Sequence, residues 1–330
     1  MKEQMKSALS FFGRFALSAV LLVWLFKYID WKDIINALKM ADVRLLCWAF
    51  AINFLIQIMC LVRWILLMKA LNLSASWGAT FRYFFIGLFC NLFLPTSIGG
   101  DVVKAIGMSR SVGNKAKVFA SVVLDRLSGF GGLVVLALVA YIFGHQIIDA
   151  PAVMIPVVTL TLLSLTIGFM LFHEKVYTFC YRIFTPIPRV HKALMDMHAD
   201  VVLMKARKRT AVGCVFISAM LQVMGAYMYY LIAVALGQQV SLMYFMVVAP
   251  IVCAVTFLPS IGGLGVREVG WVYFLARVGV DKGVAASVSL ISFFFVIVIG
   301  VLGGVFYVTS GPSGRVQCTA TDAGPKLPEA

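Results

Sequence analysis

Ionisable side chains set inside apolar runs are the residues of this chain best suited to chemistry. Asp125 and Arg126 sit side by side within the apolar run 118–143. At about 1.5 Å per helical residue they lie roughly 10 Å from its start. A charge at the centre of a membrane helix costs about 2.5–3.5 kcal/mol on insertion scales, so such residues mark a substrate or ion path by default. The structural alternatives are a pair that satisfies itself locally, or an arginine that reaches back to the interface. Asp101 and Lys104 follow Gly99 and Gly100, while Arg267 and Glu268 follow Gly262, Gly263 and Gly265. Each set couples an acid and a base just past glycines. Arginine offers a planar fork that matches phosphate oxygens two at a time, and lysine a compact charge. Arg126, Lys104 and Arg267 are therefore expected to meet an anion such as phosphate. Asp101, Asp125 and Glu268 are expected to hold those cations, meet a cationic group or accept a proton. Arg63 lies five residues from the end of the run 45–68 and reads as snorkelling to the interface. Arg63 and Asn91 are subsidiary candidates for the same site.

The glycines belong to a motif that occurs twice. Phe93-Leu94-Pro95-Thr96-Ser97-Ile98-Gly99-Gly100 resembles Phe257-Leu258-Pro259-Ser260-Ile261-Gly262-Gly263, with one residue deleted. Matching resumes downstream, where Val112-Gly113 pairs with Val278-Gly279, and Val118, Ala120, Ser121, Val122 and Leu124 pair with Val284, Ala286, Ser287, Val288 and Leu290. Asp125 and Arg126 fall opposite Ile291 and Ser292, so that charged pair belongs to one copy only. Proline ends an inbound helix, because it lacks an N–H and clashes with the preceding turn. Glycines then permit a reversal and close backbone approach. N–H groups freed at the next helix start can hold an anion such as phosphate. A tight turn without a ligand is the plainer reading of either motif alone.

The elements that must position these residues are membrane helices. The 330 residues are 62% hydrophobic and 13% charged, with mean hydropathy +0.98. Soluble domains average roughly 45–50% apolar and about 25% charged, so lipid must solvate much of this surface. Six runs are long enough to span: 8–27, 45–68, 118–143, 151–172, 210–235 and 283–308. The first reads as a retained helix rather than a cleaved leader, since no small-residue cleavage site follows it. Residues 28–44 carry Trp31, Ile34, Ile35 and Leu38 at helical spacing among charges, which predicts a short interfacial helix. Two further runs, 83–94 and 241–258, lead into the Pro and Gly-Gly motifs.

Basic residues set the orientation. Lys175, Arg182, Arg189, Lys192, Lys205, Arg207, Lys208 and Arg209 make 173–209 cytoplasmic, and the N-terminus with it. The count of crossings then requires 83–100 to enter from the cytoplasm and return. Three spans separate the two motifs, so the copies are inverted and the second hairpin enters from the opposite face. Two repeats, around 45–143 and 210–308, compose one domain over 1–308. Residues 309–330 read as a disordered cytoplasmic tail. The expected fold is all-α, a polytopic helical membrane protein with inverted repeats and two re-entrant hairpins, an architecture that places substrate at the repeat interface.

Other chemistries find no support in the sequence. The formal charge of +14 sits between apolar runs and serves topology, not nucleic acid. The seven cysteines form no CxxC pair, and the four histidines lack ligand spacing, so no disulfide framework, metal or cofactor is expected. No Walker A loop, HExxH or GxSxG occurs, so no enzymatic activity is expected.

The LPTSIGGDVVKA, SVVLDR and LPSIGGLGVRE stretches, with YIDWKDIINALKMAD near the start, resemble the lysylphosphatidylglycerol synthase transmembrane region, a flippase-like family. The likeness runs from about residue 10 to 308. It implies a lipid-translocating module in a bacterial or archaeal cell membrane. The soluble aminoacyl-transferase domain of the synthase has no counterpart in these 330 residues. Expected partners are membrane lipids with anionic or phosphate-bearing heads, and a lipid-modifying enzyme. The rival reading is a non-transporting partner or regulator of a lipid-modifying glycosyltransferase pathway. An intramembrane transferase is a third, without a cosubstrate motif.

Overall fold

A computed structural model describes residues 31–94, 99–144, 207–256 and 265–309, and every regular element among them is an α-helix. In chain order these are α1 (Trp31–Met40), α2 (Val43–Ala70), α3 (Trp77–Phe93), α4 (Gly99–Val112), α5 (Lys115–Gly144), α6 (Lys208–Ala235), α7 (Leu242–Val255), α8 (Val266–Arg277) and α9 (Lys282–Thr309). Helices dominate because hydrocarbon offers no partner for backbone N–H and C=O groups, so each segment must satisfy its own.

Helices α2, α5, α6 and α9 are long and apolar enough to cross a bilayer. They are the spans expected at 45–68, 118–143, 210–235 and 283–308. Spans 8–27 and 151–172 lie outside the described residues. Trp48, Phe216 and Phe294 point outward from these helices with well over half their surface uncovered, as lipid-facing residues do. The chain is an all-α polytopic membrane protein. Helix α3 starts at Trp77, six residues before the expected inbound run, because Ser76 caps it by accepting from Ala79 N–H at 3.3 Å. Helix α1 buries Ile34 against Ala286 of α9 and leaves Ile35 and Leu38 half exposed.

Between the long helices the chain folds back twice. Gly107 lies against Tyr83, and Gly100 against Gly87 and Asn91, so α3 and α4 run antiparallel. Tyr244 Oη donates to the Phe274 carbonyl at 2.6 Å, and Gly270 lies against Val252, so α7 and α8 do the same. The described residues thus hold two series of the same form: long helix, short antiparallel pair, long helix. The likeness extends to the turns. Gly113 and Gly279 both take left-handed backbone, with φ 78° and 81°. Asn114 and Asp281 then cap α5 and α9 through their side-chain oxygens. Asn72 and Gly237, just past α2 and α6, are left-handed as well.

The corresponding helices α2 and α6 pack antiparallel. At one end the Asp42 N–H donates to the Ala235 carbonyl at 2.9 Å, and at the other Arg207 donates to the Lys69 carbonyl and Asn72 Oδ1. Helix α3 packs on α9, where Gly303 lets the Phe85 backbone approach. Helix α7 packs on α5 in the reciprocal way. Each half therefore lends the first helix of its short pair to the long helix that closes the other half, while the second helix packs on the closing helix of its own half.

Candidate functional site

Four of the long and short helices converge on one buried ion cluster. Arg63 of α2 pairs through Nε with Asp125 Oδ1 of α5 at 2.8 Å, and donates from Nη1 to Ser218 Oγ of α6 at 2.7 Å. Lys104 of α4 lies 3.3 Å from Asp101 Oδ1 and 3.9 Å from Asp125 Oδ2. Arg126 pairs through Nε with Asp101 Oδ2 at 2.5 Å. The Lys104 ammonium also sits 4.5 Å from the Trp64 ring centre and 5.5 Å from that of Phe84, a placement that favours a desolvated cation. Trp64 in turn donates to Ser121 Oγ at 3.1 Å, which fixes its ring.

Two features decide what this cluster can do. It holds three cations against two carboxylates, so one positive charge is in excess among these residues. The burial is also uneven: the Arg126 side chain is 38% exposed, whereas those of Arg63, Asp125, Lys104 and Asp101 are 10% or less. Burying a pair of charges is tolerated when geometry and extra hydrogen bonds repay desolvation. The accessible member of the cluster, Arg126, is where an anion from outside can approach these cations.

Arg63 does not snorkel. It is buried and bonded to both Asp125 and Ser218. Burial by α5 and α6, which sequence spacing within α2 cannot reveal, turns it inward. Asp125 and Arg126, adjacent in sequence, do not satisfy each other through their side chains in these pairings. Helical neighbours point about 100° apart, so Asp125 faces α2 while Arg126 faces Asp101 on α4. Asn91 accepts the Gly100 N–H through Oδ1 at 2.8 Å and so holds the first turn of α4 against α3. Gly99 and Gly100 are both at close approach, Gly99 to Leu94. Ser218 and Trp64 were not singled out by sequence reasoning. A lone serine or tryptophan in an apolar run carries no signal until its neighbours are known.

Arg267 and Glu268 form a second, balanced cluster. Glu268 is fully buried and accepts from the Gly265 N–H at 2.6 Å, from Arg267 Nη2 at 2.8 Å and from Ser289 Oγ at 3.1 Å. Gly265 has φ 86°, a conformation suited to glycine. This carboxylate therefore locks the start of α8, and the Arg267 guanidinium rests 5.1 Å from the Phe293 ring centre of α9. Among the described residues no ion pair joins it to the first cluster. Pro95, Pro259, Gly262 and Gly263 lie outside the described residues, as does any cavity that the two reversal segments would line. Among the described residues no group of three His, Cys, Asp or Glu is placed to hold a metal.

Relatives share this chain length and kind. It is 25% identical over 299 residues to a UPF0104 membrane protein of Pyrococcus horikoshii, covering 82% of this chain and 88% of the relative. It is 24% identical over 331 residues to a UPF0104 membrane protein of Methanothermobacter thermautotrophicus, covering 90% of this chain and 94% of the relative. The lysylphosphatidylglycerol synthase TM region matches residues 11–304, which include both ion clusters and both short helix pairs. A membrane domain of paired long and short helices, matched over nearly its whole length, makes this chain a member of the lysylphosphatidylglycerol synthase TM region family.

Proposed function

We propose that this chain moves a phosphate-bearing lipid between leaflets, as a flippase or scramblase for a phospholipid or a polyprenyl-phosphate-linked lipid. The observation that supports this best is the unbalanced cluster, with Arg126 as its accessible member. Asp101 holds Arg126 through Nε, and an arginine fork offers more than one edge to an anion. A lipid phosphate beside Arg126 would neutralise the excess charge, and Lys104 and Arg63 would add attraction from behind. Acyl chains stay in lipid while the head crosses, which avoids carrying a bare phosphate through hydrocarbon.

The short helices are read as re-entrant. Helices α3 and α4 have 17 and 14 residues, about 26 and 21 Å, short of a hydrocarbon core of about 30 Å. Asp101 and Arg126 each lie eleven residues from the end of their helix that faces the basic pole, about 16 Å deep. That pole gathers Lys69, Arg82, Arg110, Lys115, Lys117, Arg207 and Arg209. By the positive-inside rule it faces the cytoplasm, the N-terminus is cytoplasmic, and the membrane is the cell membrane. Arg267 and Glu268 then shape the hairpin that enters from outside.

The test is reconstitution into vesicles carrying fluorescent phosphatidylglycerol, its aminoacylated form or a polyprenyl phosphate. The expected result is leaflet exchange above empty vesicles for at least one of them. No exchange for any of the three would replace this reading with that of a non-transporting partner.

A further inference from the structure

One face of α6 links the two clusters. Ser218, Gln222, Gly225 and Tyr229 recur at intervals of four, three and four, which stacks them on one side of the helix over about 16 Å. The lower end is anchored in the first cluster, where Ser218 accepts from Arg63. Gln222 lies beside Cys253 near the end of α7. At the upper end the Tyr229 ring packs on Trp271 of α8 with centres 4.3 Å apart, and Arg267 stands one turn before Trp271 on that helix.

Two independent observations suggest a ligand on this face. The Trp271 side chain is fully buried, yet its indole Nε1 has no hydrogen-bond partner among the described residues. A buried donor of this kind is uncommon, because leaving it unmet is unfavourable. Gly225, midway along the face, has open space: a Cβ built there meets no described atom within 4 Å. Gly132 and Gly303 differ, since a side chain at either would collide with a packed neighbour. Gly213 is also open, but it lies on the opposite side of α6 in a surface recess with Val212 and Phe216, both exposed.

We propose that the Gln222–Gly225–Tyr229 face of α6, closed by Trp271, is a second subsite for the lipid headgroup, an oxygen-rich group that accepts the Trp271 N–H after leaving Arg126. This rests on the transport reading above. Arg126 and Lys104 supply fixed charge in the cytoplasmic half of the path. The α6 face supplies neutral hydrogen-bonding groups in the outer half. A headgroup released from Arg126 toward α7 meets the Gln222 amide next, then the gap at Gly225, then the Trp271 donor. A neutral second subsite lets the headgroup leave, where a second strong cation site would retain it.

Gly225→Leu tests the path, with Gly213→Leu as its control. Leucine favours helix over glycine, and open space receives it at both sites. Leaflet exchange and binding of soluble dioctanoyl phosphatidylglycerol, read by thermal shift, are measured on each purified full-length variant. The expected result is that Gly225→Leu binds the short lipid as wild type does but exchanges no faster than empty vesicles. Gly213→Leu should match wild type in both assays. Trp271→Phe keeps the ring and removes the donor, and should slow exchange about two- to tenfold, the contribution of one hydrogen bond. It also decides the matter if Gly225→Leu does not fold. Wild-type exchange rates in Gly225→Leu, or in Trp271→Phe, would overturn the second subsite and leave transport standing. Absence of exchange in the wild-type protein would overturn transport, and the subsite with it.

Discussion

Arg63 and Asp125 are a neutral pair inside an otherwise cationic cluster, and that separates their role from that of Arg126. Their side chains are 9% exposed, and Arg63 has a second partner in Ser218. Removing one member of such a pair leaves a buried charge unmet, at a cost of about 3–5 kcal/mol. Arg63→Met should therefore lower the melting temperature of the detergent-solubilised protein sharply. Arg63→Met combined with Asp125→Leu should recover most of the loss, because no orphan charge remains and the surplus positive charge is unchanged. A double variant as unstable as Arg63→Met alone would mean that Asp125 serves Lys104 more than Arg63. Asp101→Asn is a different experiment. It keeps the shape but removes the charge that holds both Lys104 and Arg126. Headgroup binding should tighten and exchange should slow, because Lys104 and Arg126 then lose a carboxylate that competes with the lipid phosphate for them. Unchanged binding of dioctanoyl phosphatidylglycerol in Asp101→Asn would argue that Asp101 does not compete with the ligand.

Helices and turns carry the repeat more faithfully than side chains do. Gly113 and Gly279 share a left-handed φ and join equivalent helices, and a Cβ at either meets no described atom within 4 Å. Alanine there is opposed by backbone conformation alone, at about 1 kcal/mol. Gly113→Ala and Gly279→Ala should thus destabilise by similar amounts, measured by thermal unfolding. A large loss at only one would show that the turns are not equivalent. Gly100 differs, because a Cβ there would overlap the Gly87 carbonyl and Asn91. Gly100→Ala should force α3 and α4 apart and destabilise by about 1–3 kcal/mol, as overpacking does. The pairing of Val112-Gly113 with Val278-Gly279 was legible in the sequence because a left-handed turn demands glycine in both copies. The long helices were legible from hydropathy. The partners of Asp125 and Arg126 were not, because contacts between α2, α4, α5 and α6 depend on packing across distant segments. Arg63 illustrates this: its distance from a helix end suggested snorkelling, and only the position of Asp125 and Ser218 turns it inward.

At the scale of the whole molecule, the described residues make one pole basic and the other mixed. Lys39, Arg44, Arg277 and Lys282 share the second pole with Asp42 and Asp281. In a background with the native cysteines replaced by serine, Lys39→Cys should react with an impermeant thiol reagent on intact cells, and Lys115→Cys should not. The reverse pattern would invert the orientation and send the α3–α4 pair in from outside. The central claim, that a cation exposed at mid-depth carries a lipid phosphate between leaflets, is tested most directly on Arg126. Leaflet exchange per folded molecule is compared in proteoliposomes for wild type, Arg126→Lys and Arg126→Ala, using the lipid that the wild-type protein exchanges fastest. Folding is checked by gel filtration and thermal unfolding. The predicted result is partial exchange with lysine, which keeps the charge but loses the fork, and near-background exchange with alanine. Wild-type exchange by a folded Arg126→Ala protein would contradict the account.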